Sequence, residues 1–171
     1  GTGTATASTV PATMNGSRSS TSGMPTWISP VFQQLYAERI GPNWKEVIAD
    51  PAAWAKAAED AGADLIQLGL SLTQADGSPN TPAAAVAAVK AVLGATGLPL
   101  IVFGPGQAEM DNNLLVAVAE ATKGERLVIG ICEDKNYRTL VAASMANGHL
   151  VNARTPMDVN LAKQLNILIS D

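Results

Sequence analysis

Arg126–Ser170 reads RLVIGICEDKNYRTLVAASMANGHLVNARTPMDVNLAKQLNILIS, and this stretch decides the fold. An apolar run, a polar loop and a helical pattern are followed by the same succession again. Leu127–Ile131 is short, branched and apolar on both sides, which fits a buried parallel strand better than an exposed one. Cys132, Glu133, Asp134 and Lys135 form a polar loop, and Asn136 is placed to cap a helix. Tyr137, Leu140, Val141 and Met145 then recur at helical spacing, and Gly148 is positioned to end that helix in a left-handed turn. His149–Asn152 opens the next strand. Thr155-Pro156 repeats the start signal, because proline lacks an N–H that the first helical turn would leave unpaired anyway. Met157, Leu161, Leu165 and Leu168 make the expected buried stripe. These are two consecutive βα units.

Composition limits what such units can be part of. The chain has 171 residues, 47% hydrophobic and 15% charged, which suits one packed core and not a disordered chain. Its net charge of −4 and eleven basic residues without a run or stripe argue against a phosphate-tracking surface, so no nucleic acid partner is expected. The single cysteine rules out an internal disulfide and any all-cysteine metal site built by this chain alone, as suits a reducing, cytoplasmic location. No apolar run approaches the roughly 20 residues of a membrane span.

Residues 1–26 are dominated by Gly, Thr, Ser and Ala and read as a flexible or irregular arm, leaving 27–171 as the folded domain. Thr26–Asn43 carries Trp27, Ile28, Val31, Phe32, Leu35, Tyr36 and Ile40 at spacings that suit a short helix ended by Gly41-Pro42. From Asp50 the pattern is regular. Asp50-Pro51 starts a helix that Gly62 closes, and Asp64–Leu70 is the first strand. Thr81-Pro82 caps a helix with Ala85, Val86, Val89, Val92 and Leu93 on one face, and Leu98–Phe103 is the second strand. Gly104-Pro105-Gly106 turns the chain, Asp111 is expected to cap the next helix, and Leu115, Val118 and Ala119 bury it.

Four strands each followed by a helix imply an α/β fold with right-handed crossovers and a parallel sheet. An open doubly wound sheet and part of an eight-stranded barrel both fit. The dinucleotide fingerprint is absent, since GPG at Gly104–Gly106 follows the second strand and lacks a third glycine. Four units alone would leave strand edges open, so the expectation is half of a TIM barrel, completed by further sequence or another chain.

Several stretches together resemble a known family: NYRTLVAASMANGHLVNARTPMDVNLAKQLNILIS from Asn136, DPAAWAKAAEDAGADLIQLGL from Asp50, LPLIVFGPG from Leu98 and GER at Gly124–Arg126. They are similar, in order, to the small (delta) subunit of the corrinoid iron-sulfur protein in the carbon monoxide dehydrogenase/acetyl-CoA synthase system. The resemblance implies a TIM barrel paired with a larger iron-sulfur subunit, with a corrinoid (cobalamin) shared between them. It also implies transient contact with a methyltransferase and with acetyl-CoA synthase, between which the methyl group of a methylated tetrahydropterin travels. Met110 stands where the family usually has lysine, Cys132 and Glu133 replace a more neutral loop, and the loop after Leu70 lacks the Asp expected near that residue, its own Asp76 lying farther along. These departures lie at strand carboxyl ends, where a barrel builds its site.

The candidate cofactor-binding residues are Gly104, Gly106, Asn136, Asn152 and Arg154. Gly104 and Gly106 permit close backbone approach, to a ligand or to the next helix. Asn152 and Arg154 alternate on the fourth strand and could meet an amide or anion, or form a polar layer that closes a barrel. Glu133, Asp134 and Asn136 could hydrogen-bond a ligand or simply place charge near a helix N-terminus. Cys132 is reachable in principle, but neighbouring carboxylates are expected to raise its pKa, and a buried inert thiol is the simpler reading. His149 has no second ligand type beside it and reads as structural. No acid–base or nucleophile–base pair assembles, which favours a non-catalytic, cofactor-cradling subunit with no metal bound by this chain alone. A pterin-dependent corrinoid methyltransferase and a half-barrel assembly subunit are the alternatives.

Overall fold

A computed structural model of the chain describes residues 50–74 and 78–170. The elements are α1 (Pro51–Asp60), β1 (Ile66–Gly69), α2 (Pro82–Ala95), β2 (Leu100–Phe103), α3 (Ala108–Ala121), β3 (Val128–Cys132), α4 (Tyr137–Asn147), β4 (Leu150–Ala153) and α5 (Val159–Ser170). The arm at 1–26 and the helix expected in Thr26–Asn43 lie outside the described residues.

The four strands pair in parallel in the order β1-β2-β3-β4. A doubly wound sheet reverses direction at a switch point, and this one does not. Right-handed crossovers between successive neighbours carry every helix to the same side. Burial agrees: Ile66, Leu68, Leu100, Val102 and Ile129 are buried in one core with Ala85, Val89, Val92, Leu114, Leu115, Val118 and Leu140 of the helices. Each of the larger side chains contributes roughly 1.5–3 kcal/mol by leaving water. The register sets out two rows on the other face. Gln67, Ile101, Val128 and Leu150 make one, and Gly69, Phe103, Gly130 and Asn152 the next toward the carboxyl ends.

Local chemistry fixes the helix ends. Asp50 Oδ1 accepts the Ala52 N–H at 3.0 Å, and Thr81 Oγ1 accepts that of Ala84 at 3.2 Å. Gly148 ends α4 at a φ of +80°, a conformation disfavoured for residues with a Cβ. Three expectations change. The first two strands are shorter than the apolar runs, because Asp64, Leu65, Leu98 and Pro99 precede the paired segments, and β3 and β4 each lie one residue later than expected. On α4, Ser144 and not Met145 completes the buried face with Leu140, since five residues turn a helix by about 140° and carry Met145 to solvent. The last helix starts at Val159, where Asp158 Oδ1 accepts the N–H groups of Asn160 (2.8 Å) and Leu161 (3.2 Å) in place of a Thr155-Pro156 cap. Of its expected stripe only Leu165 is buried, while Met157, Leu161 and Leu168 are exposed. No described strand lies beyond β4 for that flank to cover.

His149 is buried at the amino end of β4 and ties three elements together. Its Nδ1 accepts the Leu127 N–H at 3.1 Å, so Nε2 carries the proton and donates to the Ala119 carbonyl at 2.9 Å. His149→Ala will lower unfolding free energy by about 2–4 kcal/mol, because it strands one buried donor and one buried acceptor. Urea denaturation measures this, and a loss within error would show that the imidazole does not anchor β3 to β4.

Candidate functional site

The carboxyl ends of the strands form a rim made of Leu70, Gly104, Glu133 and Arg154 and the loops that follow. The ladder continues onto it: the Leu70 N–H donates to Phe103 O (2.8 Å), Gly104 to Gly130 O (2.9 Å) and Arg154 to Cys132 O (2.9 Å). The loop after β1 is closed by a Thr73–Pro79 bridge and by Asn80 Nδ2 donating to Ser71 O at 2.9 Å.

Asp111 does not cap α3, as Gln107 holds that position and Asp111 lies one turn inside the helix. Its carboxylate is buried and reaches back to the glycine turn, where Oδ1 accepts the Gly106 N–H at 2.9 Å. A Cβ at Gly104 would collide with this carboxylate, whose Cγ lies 2.8 Å from where that Cβ would sit. The close approach expected at Gly104 is therefore made by the protein's own helix. Gly106 differs, since its φ is +86° and, among the described residues, nothing lies within 4 Å of a Cβ there. Burial raises the Asp111 pKa and the nearby Glu133 charge adds to this, against the lowering effect of the Gly106 and Gln107 amides.

Asn136 holds the cap position just before α4 but makes no cap bond. Its Oδ1 accepts the Glu133 N–H at 2.7 Å and its Nδ2 donates to Ile131 O at 3.1 Å, which closes the loop between β3 and α4. Arg154 donates from Nε (3.1 Å) and Nη2 (2.8 Å) to Glu133 Oε1. With both side chains largely exposed, the pair positions the rim more than it stabilises the fold. The Asn152 carboxamide has no hydrogen bond among the described residues. The five candidates thus share one rim but differ in use: Gly104, Asn136 and Arg154 are engaged within the chain, while Asn152 and the outer side of Gly106 are open.

Cys132 is the last residue of β3 and is not part of the loop. Between Gly130 and Cys132 the register with β4 slips, so one extra residue sits on β3. That shift in alternation turns Cys132 into the core, where it is fully buried and its pKa is pushed up to about 11. Desolvation causes the rise, not the adjacent carboxylates. Among the described residues no three metal-ligating side chains converge.

The family profile described as CO dehydrogenase/acetyl-CoA synthase delta subunit matches residues 31–171. The chain belongs to that family. It is 33% identical over 134 residues to the acetyl-CoA decarbonylase/synthase complex subunit delta of Archaeoglobus fulgidus, covering 77% of this chain and 30% of that protein. Against the subunit of the same name from Methanopyrus kandleri it is 34% identical, covering 71% of this chain and 31% of the relative. For Methanothermobacter thermautotrophicus the identity is 33%, with coverage of 74% and 33%. The chain therefore spans about a third of the length of these relatives. Met110, one of the departures from the family pattern, is partly buried against the core.

Sequence reading missed Asp111 as the pin of the glycine turn and Glu133 as the partner of Arg154. The signal for the first was present, as an acid five residues after Gly106 falls one helical turn inside α3.

A carboxyl whose pKa is raised by folding binds protons more tightly in the native state, so it favours folding below its ordinary value of 3.8 and that contribution is lost as pH rises through the raised value. Asp111→Asn keeps the acceptor for Gly106 without the charge. Its melting temperature will gain on the parent's as pH rises above the ordinary carboxyl value of 3.8 and through the raised one, and parallel profiles would mean that Asp111 titrates normally. Cys132 will alkylate with iodoacetamide at pH 7 about a hundredfold more slowly in the native protein than in urea, from the shift from 9.0 to about 11. Equal rates, read by mass spectrometry, would show the thiol to be exposed.

Proposed function

We propose that this chain is part of a TIM-barrel domain spanning residues 27–171 and further units, and that it cradles a corrinoid without itself catalysing the chemistry. The observation that carries this reading is the state of the rim polar groups in a chain of this family. Asn136 and Arg154 fix the loops around the strand ends, and Asp111 holds the Gly104–Gly106 turn. Asn152 and the open side of Gly106 remain for a ligand. A wide ligand with a neutral amide fringe fits an uncharged amide and an unobstructed glycine turn.

In this reading a larger iron-sulfur subunit covers the other side of the corrinoid, whose cobalt, when bound, carries the methyl group. Residues of this chain bind, orient and exclude water. Gly106 lets a ligand approach the backbone, Asn152 offers a donor and an acceptor, and the Glu133–Arg154 pair keeps the ends of β3 and β4 at a fixed spacing. The methyl donor is read as a methylated tetrahydropterin and the recipient as acetyl-CoA synthase, in a cytoplasmic complex. No described helix is long and apolar enough to cross a membrane. The exposed Leu161 and Leu168 flank of α5 supports completion of the barrel by further βα units.

Co-expression with the larger iron-sulfur subunit tests the proposal. The expected result is a stable complex with cobalt near one equivalent per pair, by elemental analysis. Separate elution of the two chains, or cobalt content independent of this chain, would overturn it.

A further inference from the structure

The site residues proposed from loops do not account for the open face of the sheet. Gly69, Phe103, Gly130 and Asn152 stand side by side on four neighbouring strands, in the row nearest the rim. A Cβ on Gly130 would lie 3.3 Å from Phe103 Cε1 and 3.0 Å from Asn152 Cβ, so the ring and the amide side chain are on the same side of the sheet as that missing Cβ. Phe103 leans over Gly130, where a Cβ would crowd the ring and meet the Asn152 carbonyl oxygen at 2.9 Å. The ring is half-buried, on the face turned away from the helices. Neither this row nor the row behind it, Gln67, Ile101, Val128 and Leu150, carries a charge.

We propose that the Phe103 ring and the Asn152 carboxamide, brought together over Gly130, form the contact surface for the carboxamide-fringed rim of the corrinoid. This rests on the corrinoid reading above. An aromatic face packs against an extended conjugated macrocycle and its methyl groups, while the carboxamide matches the fringe in both donors and acceptors. The lack of charge in these rows suits a neutral fringe and disfavours ionised ligands, whose carboxylates or phosphates would lose water here while the nearby Arg154 is already paired with Glu133. Phe103 and Asn152 are binding residues in this scheme, and Gly130 is a positioning residue.

Equilibrium dialysis of hydroxocobalamin against the chain in complex with the larger subunit tests it, with bound corrinoid read from its absorption spectrum. Phe103→Leu and Asn152→Leu are compared with the parent, and melting temperatures are recorded alongside. Each variant is expected to bind about tenfold more weakly at unchanged melting temperature. Tight parental binding with equal affinity in both variants would overturn the contact surface and leave the corrinoid reading standing. No binding by the parent complex would overturn both. Should Phe103→Leu fail to fold, Asn152→Leu decides alone by the same criterion.

Discussion

Every connection in this sheet leads to the adjacent strand on the same side, and the rest of the structure depends on that constraint. With the order unbroken from β1 to β4, the helices have one face to occupy. The strands accordingly divide their side chains. Leu68, Val102 and Ile129 enter the helical core, while Gln67, Phe103 and Asn152 go to the other face. All four carboxyl ends then fall on one edge, so residues distant in sequence meet there. Arg154 can reach Glu133 only because β3 and β4 are parallel neighbours.

The bulge on β3 alters that division at one place. Without the extra residue the alternation that puts Ile129 in the core would send Cys132 to the open face. With it, the thiol is packed among core side chains and the rim has no accessible nucleophile at that strand. A bulge also increases local twist, and it falls where β3 passes between Phe103 and Asn152. Gly130 is fixed by the Asn152 carbonyl, 2.9 Å from where its Cβ would lie, with the Phe103 ring close on the same side.

What could be read from the sequence follows from the range of the interactions. Helix starts at Asp50-Pro51 and Thr81-Pro82 and the stop at Gly148 depend on groups a few residues apart, and they occur as the residues imply. The parallel βα order was legible because apolar runs alternate with helical stripes. Met145 and Leu161 were misread because periodicity names a face without saying what will cover it. The site was less legible for a different reason. Asn136, Arg154 and Gly104 are the residue types a ligand would need, but whether each is free depends on how the nearby loops fold back onto Ile131 and Asp111 and on the strand pairing that brings Glu133 to Arg154.

That distinction bears on how a rim of this kind works. A polar group already engaged within the chain must break a bond to take up a ligand, and the net return is small because one hydrogen bond replaces another. Such groups act by holding loops in place, which lowers the ordering a ligand would otherwise impose. Asn136 and Asp111 fit this description: one closes the loop after β3, the other pins the turn after β2. Groups without a partner have more to gain. Asn152 is the candidate for which desolvation by a ligand would be matched by new bonds and not by the loss of old ones, and it lies beside the one aromatic ring of the sheet's open face. The chemical preference of the site follows from this pairing of a free amide with an uncharged surface, while the surrounding ion pair and buried carboxyl determine its shape.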